Sequence, residues 1–388
     1  MVAYSLFTGA TVVKFTRSFL FNMLIYKRLF FYILGAVIAM SQPVFYFAFV
    51  IRSYGSNSLK YLVCALCLLV SVSAIGAEKK PIAVKVFIAG MFEIGANQGD
   101  KAGEFQHWYE RYFADAQPIT IPGALTPVFC NKNGVCGSVL GMGKVASSSS
   151  MIAIVLNSQF DFSHSYFMIS GVGGIPPSQG TIADVNWGSW LIDYDLGHRW
   201  MPEEGEAGAP VFMPRQGYED IRRYQLNPAL VNFAVSLSKN APLKDSPSAQ
   251  AYRIRYPEPQ ARRKPAVTVG THIAGDTFFH GPGLSAEAQY MSELYGADDY
   301  MIAEMEGVAI AQVLARTVGT DRMLSLRGAV NFDQGNPNES TLAHLDPAPG
   351  ETAGGFAETV ENIVIVGGSV VDHIVSHWSD FKDGYTAK

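Results

Sequence analysis

The sequence is short of several things, and each shortage narrows what it can do. It carries 4 cysteines in 388 residues, and two of them, Cys64 and Cys67, sit in an apolar run near the N-terminus. No second Cys or His pair accompanies any of them at zinc-like spacing, so a structural metal centre is excluded. There is no basic excess: 29 Lys+Arg face 34 Asp+Glu, for a formal net charge of −5. That removes the electrostatic footprint of a nucleic-acid partner. No calcium-loop pattern, no nucleophile elbow and no internal repeat occurs. What is plentiful is apolar material, 48% of residues against 16% charged, enough for one large core.

The N-terminal stretch also lacks acid. Residues 1–77 contain no Asp or Glu. Lys60, the apolar run 61–75 and the small pair Gly76-Ala77 make a secretory signal. Its apolar core is short for a bilayer span, and Ile75 stands where a small residue is preferred at the cut. Upstream, 29–51 has no charge between Arg28 and Arg52. Two readings stand there: a membrane tether, or an extension ahead of the true start. The chain thus divides into a hydrophobic extension (1–59), a signal peptide (60–77) and a folded domain (78–388). The expected location is periplasmic or extracellular, with membrane anchoring as the alternative. After Ala77 no stretch of about 18–20 uncharged apolar residues remains, which argues against a pathway built through a bilayer. In the folded part only Cys130 and Cys136 are left. They flank Asn131-Lys132-Asn133-Gly134-Val135, where Asn133-Gly134 signals a type I′ hairpin turn. The two either close a disulfide across the hairpin, as export favours, or remain surface thiols.

Beyond the signal, strands and helices alternate. The β-branched run 83–89 stops at Gly90, and 104–114 has helical spacing of Phe105, Trp108, Tyr109 and Phe113. Strands follow at 128–129 and 135–140, then a helix over 144–157 carrying four serines. Further strands are expected at 166–170, 184–194, 266–274 and 324–330. Helices are expected at 286–295, 302–317 and 355–378. The Pro- and charge-rich segment 198–265, around one helix at 227–238, reads as an insertion or lid. This order indicates a single three-layer α/β domain with a mainly parallel or mixed central sheet, whose ligand sits where strands end.

Four strand ends carry unusual residues. Gly171-Val172-Gly173-Gly174 follows a buried strand, and glycines there let backbone N–H groups approach a ligand. Phe278 and Phe279 follow Gly275-Asp276-Thr277, a flat platform on which a base can stack, a contact of about 1–3 kcal/mol. Glu304-Met305-Glu306-Gly307 places two carboxylates at the head of an apolar helix, and a carboxylate accepts both hydroxyls of a cis-diol. Arg327-Gly328-Ala329-Val330-Asn331-Phe332-Asp333 ends a strand with an amide and an acid. Either one can hydrogen-bond N7 of a purine and improve it as a leaving group. The plain alternatives are a tight turn, two core phenylalanines, and a first-turn acid on the helix dipole.

Taken in order over 85–378, these segments resemble the nucleoside phosphorylase superfamily, particularly its methylthioadenosine/S-adenosylhomocysteine nucleosidase branch. Gly141-Met142-Gly143-Lys144-Val145-Ala146 matches that branch's Gly-x-Gly-Lys-Val-Ala, and Glu304-Met305-Glu306 its Glu-Met-Glu. Gly275-Asp276-Thr277-Phe278 and Arg327 to Asn331 are similar to its base-stacking and strand-end segments. Ile175-Pro176-Pro177, Asp184-Val185-Asn186-Trp187-Gly188 and the stretch Leu326 to Asp333 look most like the purine nucleoside permease group. The resemblance implies a purine nucleoside as partner, no resident cofactor, and cleavage of the N-glycosidic bond by water or by phosphate as co-substrate. The alternative it implies is a non-catalytic binding component of nucleoside uptake. Monomer and homo-oligomer are both compatible with it. Carried over, Glu306 holds the ribose hydroxyls with Met305 against the sugar. Phe278 stacks on the base beside Phe279, Gly171, Val172 and Gly173 close around the ligand, and Asn331 faces N7. Asn331 stands where the nucleosidases have Asp, so Asp333 is the alternative acid. Glu93, two residues past Met91, is placed to orient a water. The strand before Gly171 lacks the arginine that bacterial hexameric phosphorylases use for phosphate, which disfavours phosphorolysis.

Overall fold

The computed structural model describes residues 4–8, 11–15, 80–346 and 354–386. The chain divides into two units, Met1–Ala77 and Glu78–Lys388. Of the first, only an antiparallel strand pair, Tyr4–Thr8 with Thr11–Phe15, is described. The signal at 60–77 and the apolar segment 29–51 lie outside the described residues.

In the second unit ten strands make one mixed sheet. They are β1 (Val86–Gly90), β2 (Pro118–Ile119), β3 (Val128–Cys130), β4 (Val135–Val139) and β5 (Tyr166–Ile175). Then come β6 (Val185–Asp193), β7 (Arg223–Gln225), β8 (Val267–Ala274), β9 (Tyr300–Glu304) and β10 (Met323–Phe332). The spatial order is β7-β6-β8-β9-β5-β1-β4-β3-β2, with β10 pairing both β6 and β5. The β1/β4, β1/β5, β5/β10, β6/β8 and β8/β9 pairs are parallel. Strand β1 is buried at every residue, as expected of a strand covered on both faces. Because β9 meets β5 at Ala303↔Gly174 and β10 also meets β6, five strands (β5, β10, β6, β8, β9) close into a ring.

Six longer helices serve as α1 (Gln106–Tyr112), α2 (Lys144–Val155), α3 (Pro228–Ser238), α4 (Pro282–Leu294), α5 (Gly307–Thr317) and α6 (Phe356–Ser376). They pack on both faces of the sheet, α6 with α3 and α1 on β10 and β5, and α5 with α2 against β6 and β8. The fit of α6 is close. A Cβ on Gly328 of β10 would come 2.4 Å from Thr359, and one on Gly367 of α6 would come 2.7 Å from Leu326 and Trp108. By length and composition α6 is apolar enough to cross a membrane, yet most of its apolar window is buried in this packing.

Several expectations need correction. The strand at 166–170 does not end at Gly171; β5 runs on through the glycines to Ile175 because β10 supplies a parallel partner along its whole length. The helix expected from 302 is a strand up to Glu304, paired with β8, and the helix starts only at Gly307. The 198–265 segment is not wholly a lid. Strand β7 extends the main sheet on β6, α3 packs on the sheet, and a bidentate Arg263–Asp184 pair pins the segment's end at the start of β6. Only the small pair His198–Arg199 with Phe212–Met213 forms a sheet of its own. The hairpin at Gly134 is not type I′, since Asn133 lacks the positive φ that turn requires. Instead Gly134 alone has positive φ, 85°, and the Asn131 side chain accepts from the N–H groups of Asn133 and Val135 at 2.9 and 3.1 Å. The hairpin nevertheless brings Cys130 opposite Cys136, and they form a disulfide.

That disulfide spans a sequence separation of 6. A loop this short gives a loop-entropy contribution of about 2 kcal/mol. A C130S/C136S double variant is expected to lower the unfolding free energy in urea by that amount with unchanged far-ultraviolet circular dichroism. An unchanged midpoint would show that the hairpin is held by β3/β4 pairing alone.

Candidate functional site

The ends of β1, β8, β9 and β10 converge on a cavity of about 320 Å³. Met91 and Phe92 enter it after β1, Glu104 just before α1, and Met142 from the turn before α2. Val172 and Gly173 of β5, Phe278 after β8, and Ala303, Glu304, Met305 and Glu306 at the β9–α5 junction line it further. Val330 and Asn331 of β10 complete it. The β10 pairing slips by one residue between Ala329 and Asn331. Such an irregularity re-aims side chains, and it turns two successive residues, Val330 and Asn331, toward one cavity.

The floor is a buried charge cluster. Arg327, in the middle of β10, donates from Nη2 to Glu304 Oε2 at 2.5 Å and to Glu306 Oε2 at 3.1 Å, and from Nη1 to the Val172 carbonyl at 3.3 Å. Glu304 also accepts the backbone N–H groups of Glu306 and Gly307. That anchoring ends the strand, starts α5, and fixes where Glu306 stands. The other oxygen of Glu306 accepts the Gly143 N–H at 2.9 Å. Glu104 is held by the N–H groups of Met91 and Val172, each at 2.7 Å.

Three carboxylates against one guanidinium leave an acid excess in a dry place. Burial raises the Glu104 carboxyl to about 7, although the Arg327 charge and its two N–H donors oppose the rise. Burial, with repulsion from Glu304, also raises Glu306 despite Arg327. Glycines make the cluster possible: a Cβ on Gly171 would lie 2.6 Å from Arg327 and 2.7 Å from Glu104, and one on Gly173 would lie 2.5 Å from the Ala303 carbonyl oxygen.

The cavity brings together Val172, Gly173, Phe278, Met305, Glu306 and Asn331 from the sequence-derived set. Phe278 is 54% exposed, and the Asn331 side chain donates to the Phe332 carbonyl at 2.8 Å, leaving its oxygen and second N–H uncommitted. Four other residues stand outside the lining. Gly171 lies beneath it against Arg327. Phe279 is buried and stacks on Tyr194 at 4.2 Å. Asp333 turns away to accept the Tyr300 hydroxyl at 3.0 Å, its carboxyl raised to about 6 by burial. Glu93 spends both oxygens on the backbone N–H groups of Ile94, Gly103, Phe105 and Gln106, which fixes the loop leading into α1. Glu104, eleven positions on, has the cavity place expected of Glu93. Both are acids ahead of one helix, and what separates them is long-range: Glu93 is spent on its own loop's N–H groups, while Glu104 accepts the N–H of Val172 on distant β5 and feels the Arg327 charge. Among the described residues no group of three or more His, Cys, Asp or Glu is placed to hold a metal.

Removing Arg327 would strand three buried carboxylates. R327M is expected to lose roughly 3–5 kcal/mol of stability, the cost of breaking a buried pair from one side. Chemical denaturation checks this, and a loss below about 1 kcal/mol would mean the acids are neutral without it.

The purine nucleoside permease family model matches residues 83–386. A probable purine nucleoside permease of Schizosaccharomyces pombe is 27% identical over 354 residues, covering 83% of this chain and 98% of the relative. A purine nucleoside permease of Candida albicans is 27% identical over 341 residues, covering 80% of each. Among solved structures, a 5'-methylthioadenosine/S-adenosylhomocysteine nucleosidase from Neisseria meningitidis is 15% identical with TM-score 0.47, covering 74% of this chain and 99% of that one. The futalosine hydrolase of Helicobacter pylori is 15% identical with TM-score 0.48, covering 75% and 98%. With most of the folded unit inside the family match, the chain belongs to the purine nucleoside permease family.

Proposed function

We propose that the cavity holds a purine nucleoside and that the chain cleaves its N-glycosidic bond with water. One observation carries this reading: Phe278, Met305, Glu306 and Asn331, far apart in sequence, line one cavity together with Glu104, whose carboxyl burial pushes up to about 7. The name carried by the relatives supports a purine nucleoside as the ligand. In this pose the base stacks on Phe278. Glu306 accepts from the ribose hydroxyls, Met305 packs on the sugar, and the Asn331 amide donates to N7.

The reaction balances with these residues. Glu104 accepts a proton from water as the water oxygen bonds C1′. The C1′–N9 bond breaks, and its electron pair leaves with the purine. Asn331 stabilises that anion by hydrogen bonding, and solvent protonates it. Free base and free sugar are the products. Water fits better than phosphate because no lysine or arginine is among the lining residues. The cation beneath the floor, Arg327, is engaged by Glu304 and Glu306, so a phosphate would face carboxylates in a low dielectric.

A second reading, a binding component of uptake without catalysis, is favoured by Asn331, whose amide has no proton to release. Under either reading the chain is exported, and the Cys130–Cys136 disulfide supports an oxidising compartment.

Incubation of the full-length protein with inosine, adenosine or guanosine separates the two. Base release equal with and without phosphate supports hydrolysis, release only with phosphate overturns the role of water, and saturable binding without products leaves the uptake reading. If Glu104 is the base, it acts only when ionised. The rate should therefore climb as pH rises through about 7 and level off above it, and E104Q should lose about 10²–10⁴-fold in kcat. A rate flat from pH 5 to 9, or an active E104Q, would contradict that assignment. Replacing Phe278 with Ala should weaken nucleoside binding by about 1–3 kcal/mol in a titration.

A further inference from the structure

The turn Gly141-Met142-Gly143-Lys144 stands beside the cavity, and only Met142 belongs to the lining. Lys144, first residue of α2, is nonetheless the most heavily engaged lysine near the site. Its ammonium reaches Asp193 Oδ1 at 2.8 Å and Asp195 Oδ2 at 2.6 Å, and its side chain is only 16% exposed. Its backbone N–H donates to Asp276 Oδ1 at 2.7 Å. The Asp276 N–H in turn donates to Asp195 Oδ2 at 2.8 Å, and Asp193 Oδ1 also accepts the N–H groups of Asp195 and Leu196. Burial works against the lysine's charge, but the hydrogen bonds it donates to Asp193 and Asp195 outweigh that and hold the ammonium above its ordinary value.

This closed set of bonds joins three places that the chain visits far apart: the end of β6, the end of β8, and the turn into α2. Two of them carry cavity residues. Phe278 lies two positions beyond Asp276. Gly143, one position before Lys144, donates to Glu306 Oε1 at 2.9 Å. Gly143 has φ 82°, and a Cβ there would meet Asp276 Oδ1 at 2.9 Å, so the turn and the Asp276 loop are in direct contact.

We propose that Lys144 is a positioning residue: its backbone N–H holds Asp276 and its ammonium holds Asp195, which itself accepts the Asp276 N–H, so that the loop carrying Phe278 stays in register with Glu306. The inference rests on the nucleoside reading for its ligand, while the clasp itself is a statement about this chain. Without the ammonium, Asp193, Asp195 and Asp276 are three neighbouring carboxylates that repel. The loop would then keep the Lys144 N–H at Asp276 but lose a firmly held Asp195, and would loosen relative to Glu306 while the core beneath, which does not use the Lys144 side chain, stays folded.

The test uses the full-length protein with K144M, K144R and D195N. Hydrogen–deuterium exchange without ligand reads the clasp. K144M should speed exchange in peptides covering 141–145 and 275–280 and leave the β1 and β5 peptides unchanged. K144R should be close to wild type and D195N intermediate. Titration with inosine or adenine reads the consequence. K144M should weaken binding roughly tenfold, as loss of a charge-assisted hydrogen bond would. The same substitution should cost little in an F278A background, because the effect passes through that ring. Unchanged exchange in both loops overturns the proposal, as does a K144M penalty that persists undiminished in F278A. Should no purine compound bind wild type while K144M exchange still rises in the two loops, the nucleoside reading fails and the clasp survives.

Discussion

A buried guanidinium is the constraint around which the rest is arranged. Arg327 sits mid-strand in β10 and is almost wholly buried, where an unpaired charge would be severely penalised. Its partners come from separate parts of the chain: Glu304 and Glu306 from the β9–α5 junction, and Glu104 from the loop ahead of α1. Meeting that need pulls the loops onto one spot. Glu304 then ends β9 and starts α5 through backbone hydrogen bonds, which aims Glu306 at the cavity. Gly171 and Gly173 follow from the same constraint, since a methyl at either would collide with the cluster or with β9.

Two acids beyond what one cation can balance, in a place without bulk water, push carboxyl groups upward. Burial holds the Glu104 carboxyl up at about 7, while Glu304 accepts from Arg327 and from two backbone N–H groups. Similar residues thus have different jobs because their donors differ. The stability sign is adverse: with its folded pKa raised, Glu104 favours the fold most at low pH, and this contribution fades as pH climbs through about 7. The site is therefore less stable than a hydrocarbon core would be, as functional sites commonly are.

Much of this was legible in the sequence, for stated reasons. Runs such as Val86-Phe87-Ile88-Ala89 are apolar on both faces and read as central strands, and α6 announces itself by length and periodicity. The order of Gly-rich, Phe-Phe, Glu-Met-Glu and Arg-to-Asn segments named the cavity's members Phe278, Met305, Glu306 and Asn331. The failures share one cause, which is that local pattern cannot report a distant partner. Glycines look like the end of β5 until β10 is known to pair beyond them. Ile302-Ala303-Glu304 looks like the start of a helix until β8 claims it. Phe278 and Phe279 are equal in sequence, yet Tyr194 captures one into the core. Asn331 and Asp333 share a strand face by count, but β10 ends at Phe332 and Tyr300 takes Asp333. Glu93 is spent on the N–H groups of its own loop, whereas Glu104 accepts the N–H of Val172 on distant β5.

In the proposed reading one cavity brings a stacking ring, Phe278, and a carboxylate, Glu306, to a single purine nucleoside. Calorimetric titration of the full-length protein with inosine, alongside F278A and E306Q, tests it most directly. One saturable site that each substitution weakens is expected, with the F278A loss also seen for free adenine and the E306Q loss seen only for ligands bearing a sugar. Absence of binding, or binding that neither substitution alters, would contradict it.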